Sequence, residues 1–139
     1  MKMRVMVYTK NGQMKTYADA IGQAIGCLVS DIPPAYPCEN ERLVVIGLSC
    51  KGKLEDIVER FCVQLTPQRA NNVAFFIDGK PGTEAETKAK EIIKNAGINV
   101  LDEDTYYIKC GMFGKSITIE NRQKIVDWIR GLEEKLIQK

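Results

Sequence analysis

Histidine does not occur in this chain of 139 residues. Its absence removes the usual general base near neutral pH and the commonest neutral metal ligand, which excludes triad hydrolases and histidine-built metal centres. Cysteine is present but unpatterned. Cys27, Cys38, Cys50, Cys62 and Cys110 are odd in number, form no Cys-x-x-Cys pair and sit partly inside apolar stretches, so reduced thiols are expected rather than a zinc site or a disulfide framework. Long apolar runs are also missing. The first ends at Tyr8, too short for a signal-peptide core and far too short for a membrane span, so the expectation is a cytoplasmic protein without membrane association. Neither sign of charge dominates: 20 basic residues face 18 acidic ones for a net charge of +2, and no dense basic run occurs. Nucleic acid is therefore not the expected partner.

A hydrophobic share of 45% in 139 residues supports one substantial core, so residues 1–139 are expected to form a single domain. Residues 3–8 read as a buried strand, and Ala18, Ile21 and Ile25 then recur at helical spacing up to Gly26, a natural helix stop. Residues 27–30 make a short second strand, and the three prolines of the segment 31–37 predict a loop with at most one helical turn. Leu43 to Leu48 and Val73 to Ile77 are nearly continuous in apolar residues, the sign of strands buried on both faces of a parallel sheet. Leu54, Ile57, Val58, Phe61 and Leu65 predict the helix between them. Thr83 and Glu86 fit a capping box for a third helix that Gly97 closes. Residues 98–101 and 106–110 read as a fifth strand interrupted by Asp102, Glu103 and Asp104, and a last helix runs from about Ile119 with Ile125, Ile129, Leu132 and Leu136 on one face. Trp128, beside that face, is read as core.

Strands alternating with helices predict an α/β fold, a three-layer doubly wound sandwich whose five-stranded parallel sheet has the order 2-1-3-4-5. In such a sheet ligands bind at the carboxyl ends of the strands where the order reverses, here between the first and third. Three loops converge there: Thr9 to Thr16, Ser49 to Lys53, and Asp78 to Gly82, with Cys110 to Lys115 on the outer side. The first is built like an anion cradle, because a strand aims a Gly-containing turn and the free amides of a helix start at one point. Lys51, Lys53, Lys80 and Lys115 ring the same edge, either drawing an anionic ligand or forming a solvated rim. Cys50 and Cys110 lie there as possible ligand contacts or as small packing residues.

The first loop resembles that of the flavodoxin family, which follows a strand ending in an aromatic and reads Ser/Thr, two residues, a small residue, one residue, Thr, three residues, Ala. Val7-Tyr8-Thr9, Gly12 and Ala18 match, while Met14 stands at the second hydroxyl. In the tighter Thr-Gly-Asn-Thr form, Asn11, Gly12, Gln13 and Met14 take the four places and Gly12 alone is unchanged. The resemblance implies non-covalent FMN, with its phosphate on Thr9, Lys10, Asn11, Gly12, Gln13 and Met14. Its ring would lie between Ser49, Cys50, Lys51 and Gly52 on one side and Asp78, Gly79 and Lys80 on the other. Lys10 or Lys15 would offset the hydroxyl missing at Met14, a charged hydrogen bond worth roughly 1.5–3 kcal/mol.

Two further departures matter. The second and third loops hold no aromatic to flank the flavin, which leaves Met112, Phe113 and Tyr36 as candidates, and the chain is slightly basic where electron-donating members of the family are usually acidic. The resemblance implies an electron carrier serving a larger reductase, a role that needs no acid or base of its own. The alternative is a flavodoxin-fold accessory or partner-binding module that has lost tight FMN binding. A phosphoacceptor receiver domain is disfavoured, since Thr9-Lys10 and Ser49-Cys50 stand where its acidic residues belong. Nothing marks a pyridine-nucleotide site of a stand-alone reductase.

Overall fold

Alternating apolar side chains bury both faces of the central strands, and this decides the layering. The computed structural model describes residues 2–8, 12–49, 52–110 and 117–138. In chain order these form β1 (Met3–Tyr8), α1 (Gly12–Ile25), β2 (Leu28–Asp31), β3 (Glu41–Ser49), α2 (Asp56–Gln64), β4 (Ala70–Asp78), α3 (Glu84–Asn95), β5 (Asn99–Val100), a 3-10 turn at Asp102–Asp104, β6 (Tyr106–Ile108) and α4 (Ile119–Ile137). All strand pairs are parallel, in the order β2-β1-β3-β4-β5, with β6 also on β4. The expected order is borne out, and the interrupted fifth strand is two short pieces on either side of the acidic turn.

Met6, Val44, Ile46, Phe75 and Ile77 point to the layer of α2 and α3, where Val58, Phe61, Ala89 and Ile93 meet them. The intervening residues Val5, Val7, Val45, Ala74 and Phe76 point the other way, onto Ala18 and Ile21 of α1 and Ile125, Ile129 and Leu132 of α4. This two-sided burial is why β3 and β4 read as unbroken apolar runs. Trp128 belongs to the second layer: its ring meets Phe76 and Tyr106 edge-on at 6.4 and 5.5 Å, and its indole N–H donates to the Asp104 carbonyl at 2.7 Å.

Boundaries differ from expectation in a few places. The second strand is shifted one residue, from 27–30 to Leu28–Asp31, because Gly26 at φ 78° and Cys27 complete the turn out of α1. The proline segment contains bends and no helical turn, as a loop with at most one such turn allows. At α3 the cap is half of a capping box. Thr83 Oγ1 accepts from the Glu86 amide at 3.3 Å, but the Glu86 carboxylate accepts from the Gly82 amide at 3.0 Å instead of reaching back to Thr83.

Gly47 of β3 stands opposite Phe76 of β4. A methyl group there would sit 2.2–2.8 Å from three atoms of the Phe76 ring, closer than carbon atoms approach without displacement. Gly47→Ala is expected to destabilise by about 1–3 kcal/mol in urea unfolding. A smaller partner, in Gly47→Ala/Phe76→Leu, should make the pair cost less than the two single changes added together. Additive losses would show that the ring yields freely.

Candidate functional site

The strand order reverses between β1 and β3, and α1 begins four residues after β1 ends. Gly12, Gln13 and Met14 are thus the first described residues of the helix, so the segment expected as a loop through Thr16 is already helix from Gly12 onward. Thr16 confirms this locally, its hydroxyl donating to the Gly12 carbonyl one turn back at 3.0 Å. No acidic residue occupies the first turn of α1, so its positive end is not offset from within the helix. Lys15 faces Asp31 at the end of β2, 3.5 Å away.

Met14 is fully buried among the side chains between the sheet and the α1/α4 layer. Its side chain faces the core, which leaves the backbone amide as its means of touching a ligand. Gln13 is also buried, with its α-carbon in the same first turn. Thr9, Lys10, Asn11, Cys50 and Lys51 lie outside the described residues, as do Met112, Phe113 and Lys115.

Ser49, Asp78 and Ile108 are level with one another at the carboxyl ends of β3, β4 and β6. Ser49 and Gly52 are exposed, and among the described residues no atom beyond the adjoining chain lies within 4 Å of where a Gly52 side chain would begin. Asp78 differs from its neighbours. It is 1% exposed, and its Oδ1 accepts from the Cys110 amide at 3.1 Å, tying the end of β4 to the chain leaving β6. Gly79 extends that ladder by donating to the Ile108 carbonyl at 3.3 Å, at a φ of 151° that favours glycine. Lys80 is exposed.

Sequence reasoning missed Tyr17. Only 4% exposed, it stands one turn into α1 beside Cys110, Tyr106 and Asp78. Burial, then the neighbouring Cys110 and Tyr106, push its phenol above the ordinary value, against a hydrogen bond with Asn121 that pulls it down. Its spacing three residues after Met14, on the same apolar stripe, was the available signal. Cys110 is buried behind the edge, Tyr36 is 77% exposed on the proline segment, and both Lys53 and Lys109 are exposed after β3 and β6.

No protein-family model matches the chain, and no curated protein sequence does. Solved structures do. The flavodoxin-like domain of a Synechococcus sp. protein superposes with a TM-score of 0.64 at 12% identity, covering 99% of each chain. The flavodoxin of Streptococcus pneumonia TIGR4 superposes with a TM-score of 0.63 at 11% identity, over 96% of this chain and 98% of that one. The fold is flavodoxin-like. At such identities the likeness concerns the backbone arrangement, and the flavodoxin-like carboxyl edge here carries its own residues. Among the described residues, no helix is long and apolar enough to cross a membrane.

Proposed function

We propose that this flavodoxin-like protein binds FMN at the carboxyl edge of its sheet and carries electrons to or from a larger reductase in the cytoplasm. The observation that carries the reading is the start of α1. A 14-residue helix, free of acid in its first turn, opens at the point where the strand order reverses in a flavodoxin-like sheet. The residues present fit the group: first-turn amides of Gly12, Gln13 and Met14 suit the phosphate, with Thr9, Lys10 and Asn11 preceding them. Open space at Gly52, the exposed Ser49, and the run Asp78-Gly79-Lys80 leave room for the ring. Cys50 and Lys51 complete the second loop. FMN, when bound, supplies the one- and two-electron chemistry. The protein's part is to bind and orient it, which requires no histidine.

Titration of the purified chain with FMN tests this. Quenching of flavin fluorescence is expected, together with stabilisation by about 2.7 kcal/mol at a hundredfold excess over the dissociation constant. Absence of both at high FMN would overturn the proposal and favour the accessory-module reading, to which the core-facing Met14 already lends weight.

A further inference from the structure

Ten lysines lie among the described residues, and they divide sharply. Seven of them, Lys2, Lys15, Lys88, Lys90, Lys94, Lys124 and Lys135, stand within 4.0 Å of a carboxylate. The remaining three, Lys53, Lys80 and Lys109, are exposed with no carboxylate at that distance among the described residues. No residue outside the described set is Asp or Glu, so no further side-chain carboxylate is available to them.

The three share one place. Lys53 follows β3, Lys80 follows β4 and Lys109 follows β6, and the ends of these strands are level in the sheet. With neighbouring strands about 4.8 Å apart, the three strand ends that these lysines follow span on the order of 10 Å. An isolated surface ion pair contributes little to stability, so the missing partners cost the fold nothing. What they change is the field. A chain of net charge +2 gathers positive charge without contact ion pairs at its carboxyl edge, Lys53 acting on Glu59 only at longer range, while its other described lysines are matched. Such a patch steers an oppositely charged surface into one orientation and raises its encounter rate.

Two other uses of the charge fit less well. A flavin phosphate belongs at the start of α1, after β1, whereas these lysines follow three other strands. Nucleic-acid surfaces favour the forked guanidinium, and none of the six arginines lies in the segments where these lysines stand.

We propose that the carboxyl edge is a docking surface for an acidic redox protein, engaged by Lys53, Lys80 and Lys109. This rests on the electron-carrier reading above for the word redox; the acidic character of the partner follows from the charge alone.

The test follows backbone amide shifts of the isotopically labelled chain during titration with cytochrome c made acidic by succinylation, and with untreated, basic cytochrome c. The acidic form is expected to shift amides around Lys53, Lys80 and Lys109 at low ionic strength, with the effect fading above about 0.1 M salt, where the screening length is about 10 Å. The triple variant Lys53→Gln/Lys80→Gln/Lys109→Gln should bind it about tenfold more weakly or worse. A second triple, Lys88→Gln/Lys124→Gln/Lys135→Gln, changes net charge equally and should retain the affinity. Equal losses in both triples, or equal binding of basic cytochrome c, would overturn the proposal. So would duplex DNA binding more tightly than the acidic protein and losing its hold in the first triple, which would assign the edge to nucleic acid. The measurement needs no flavin. A colourless protein with the acidic footprint sinks the electron-carrier reading alone; a yellow protein without the footprint sinks the docking surface alone.

Discussion

Replacing Lys90 with methionine is expected to cost about 3–5 kcal/mol of stability, read as a lower urea midpoint with an unchanged slope. Lys90 is 6% exposed, and its ammonium donates to Glu86 Oε2, Asp102 Oδ1 and Thr105 Oγ1, each at 2.7 Å, with the Phe75 ring 5.9 Å away. Glu86 is 5% exposed and accepts from Tyr107 Oη at 2.5 Å and from the Gly82 amide. Without the ammonium, a buried carboxylate is left with neutral donors. Glu86→Leu/Lys90→Met should recover much of the loss, since apolar replacement of a whole buried pair is often neutral.

The pH dependence has a definite sign. Burial alone would raise the Glu86 carboxyl, but hydrogen bonds from Lys90, Tyr107 and the Gly82 amide outweigh it and hold it below its ordinary 4.5. A depressed acid contributes stability that is present above the unfolded value and lost as pH falls through the folded one. The gap between the natural protein and Lys90→Met should therefore narrow as pH drops below 4.5. A gap that stays constant down to full protonation would show that lost packing of the lysine stem, not charge, carries the effect.

Met14→Thr is the second large effect, and its direction matters more than its size. Read from the loop motif alone, the change restores a hydroxyl to a phosphate site and should tighten FMN. Read from the structure, it removes a fully buried side chain from between the sheet and α4 and puts a hydroxyl among apolar neighbours. A loss of about 2–5 kcal/mol, comparable to truncating a buried methionine, is expected, with no gain in FMN affinity. Tighter FMN binding at retained stability would show that the first turn of α1 presents this position to the ligand.

These cases mark what was legible in the chain. Layering was, because β3 and β4 carry the two-sided apolar runs that only a covered parallel strand tolerates, and α4 shows Ile125, Ile129, Leu132 and Leu136 at helical spacing. The point where the strand order reverses, between β1 and β3, followed from topology alone. The aim of individual side chains did not. Asp78 looks like a loop carboxylate, yet it is the last residue of β4 and turns inward to hold the Cys110 amide. Met14 aligns with a loop hydroxyl, yet the early start of α1 places it on the helix's core face. Lys90 stands out in no sequence pattern; only the return of the chain through Asp102 and Thr105 encloses it. For Asp78 and Lys90 this depends on contacts between residues distant in the chain, which no local pattern carries.

The division of the fifth strand into β5 and β6 bears on how the protein behaves when crowded. A free sheet edge is a template for another chain's strand, and long flat edges invite end-on stacking into aggregates. Here one edge consists of two residues of β5 and three of β6, broken by a 3-10 turn, and the other is the four-residue β2. Neither presents enough unbroken backbone to seed a foreign strand. The acidic turn at Asp102–Asp104, anchored by Lys90, Lys94 and Lys135, holds the two short pieces of that edge apart.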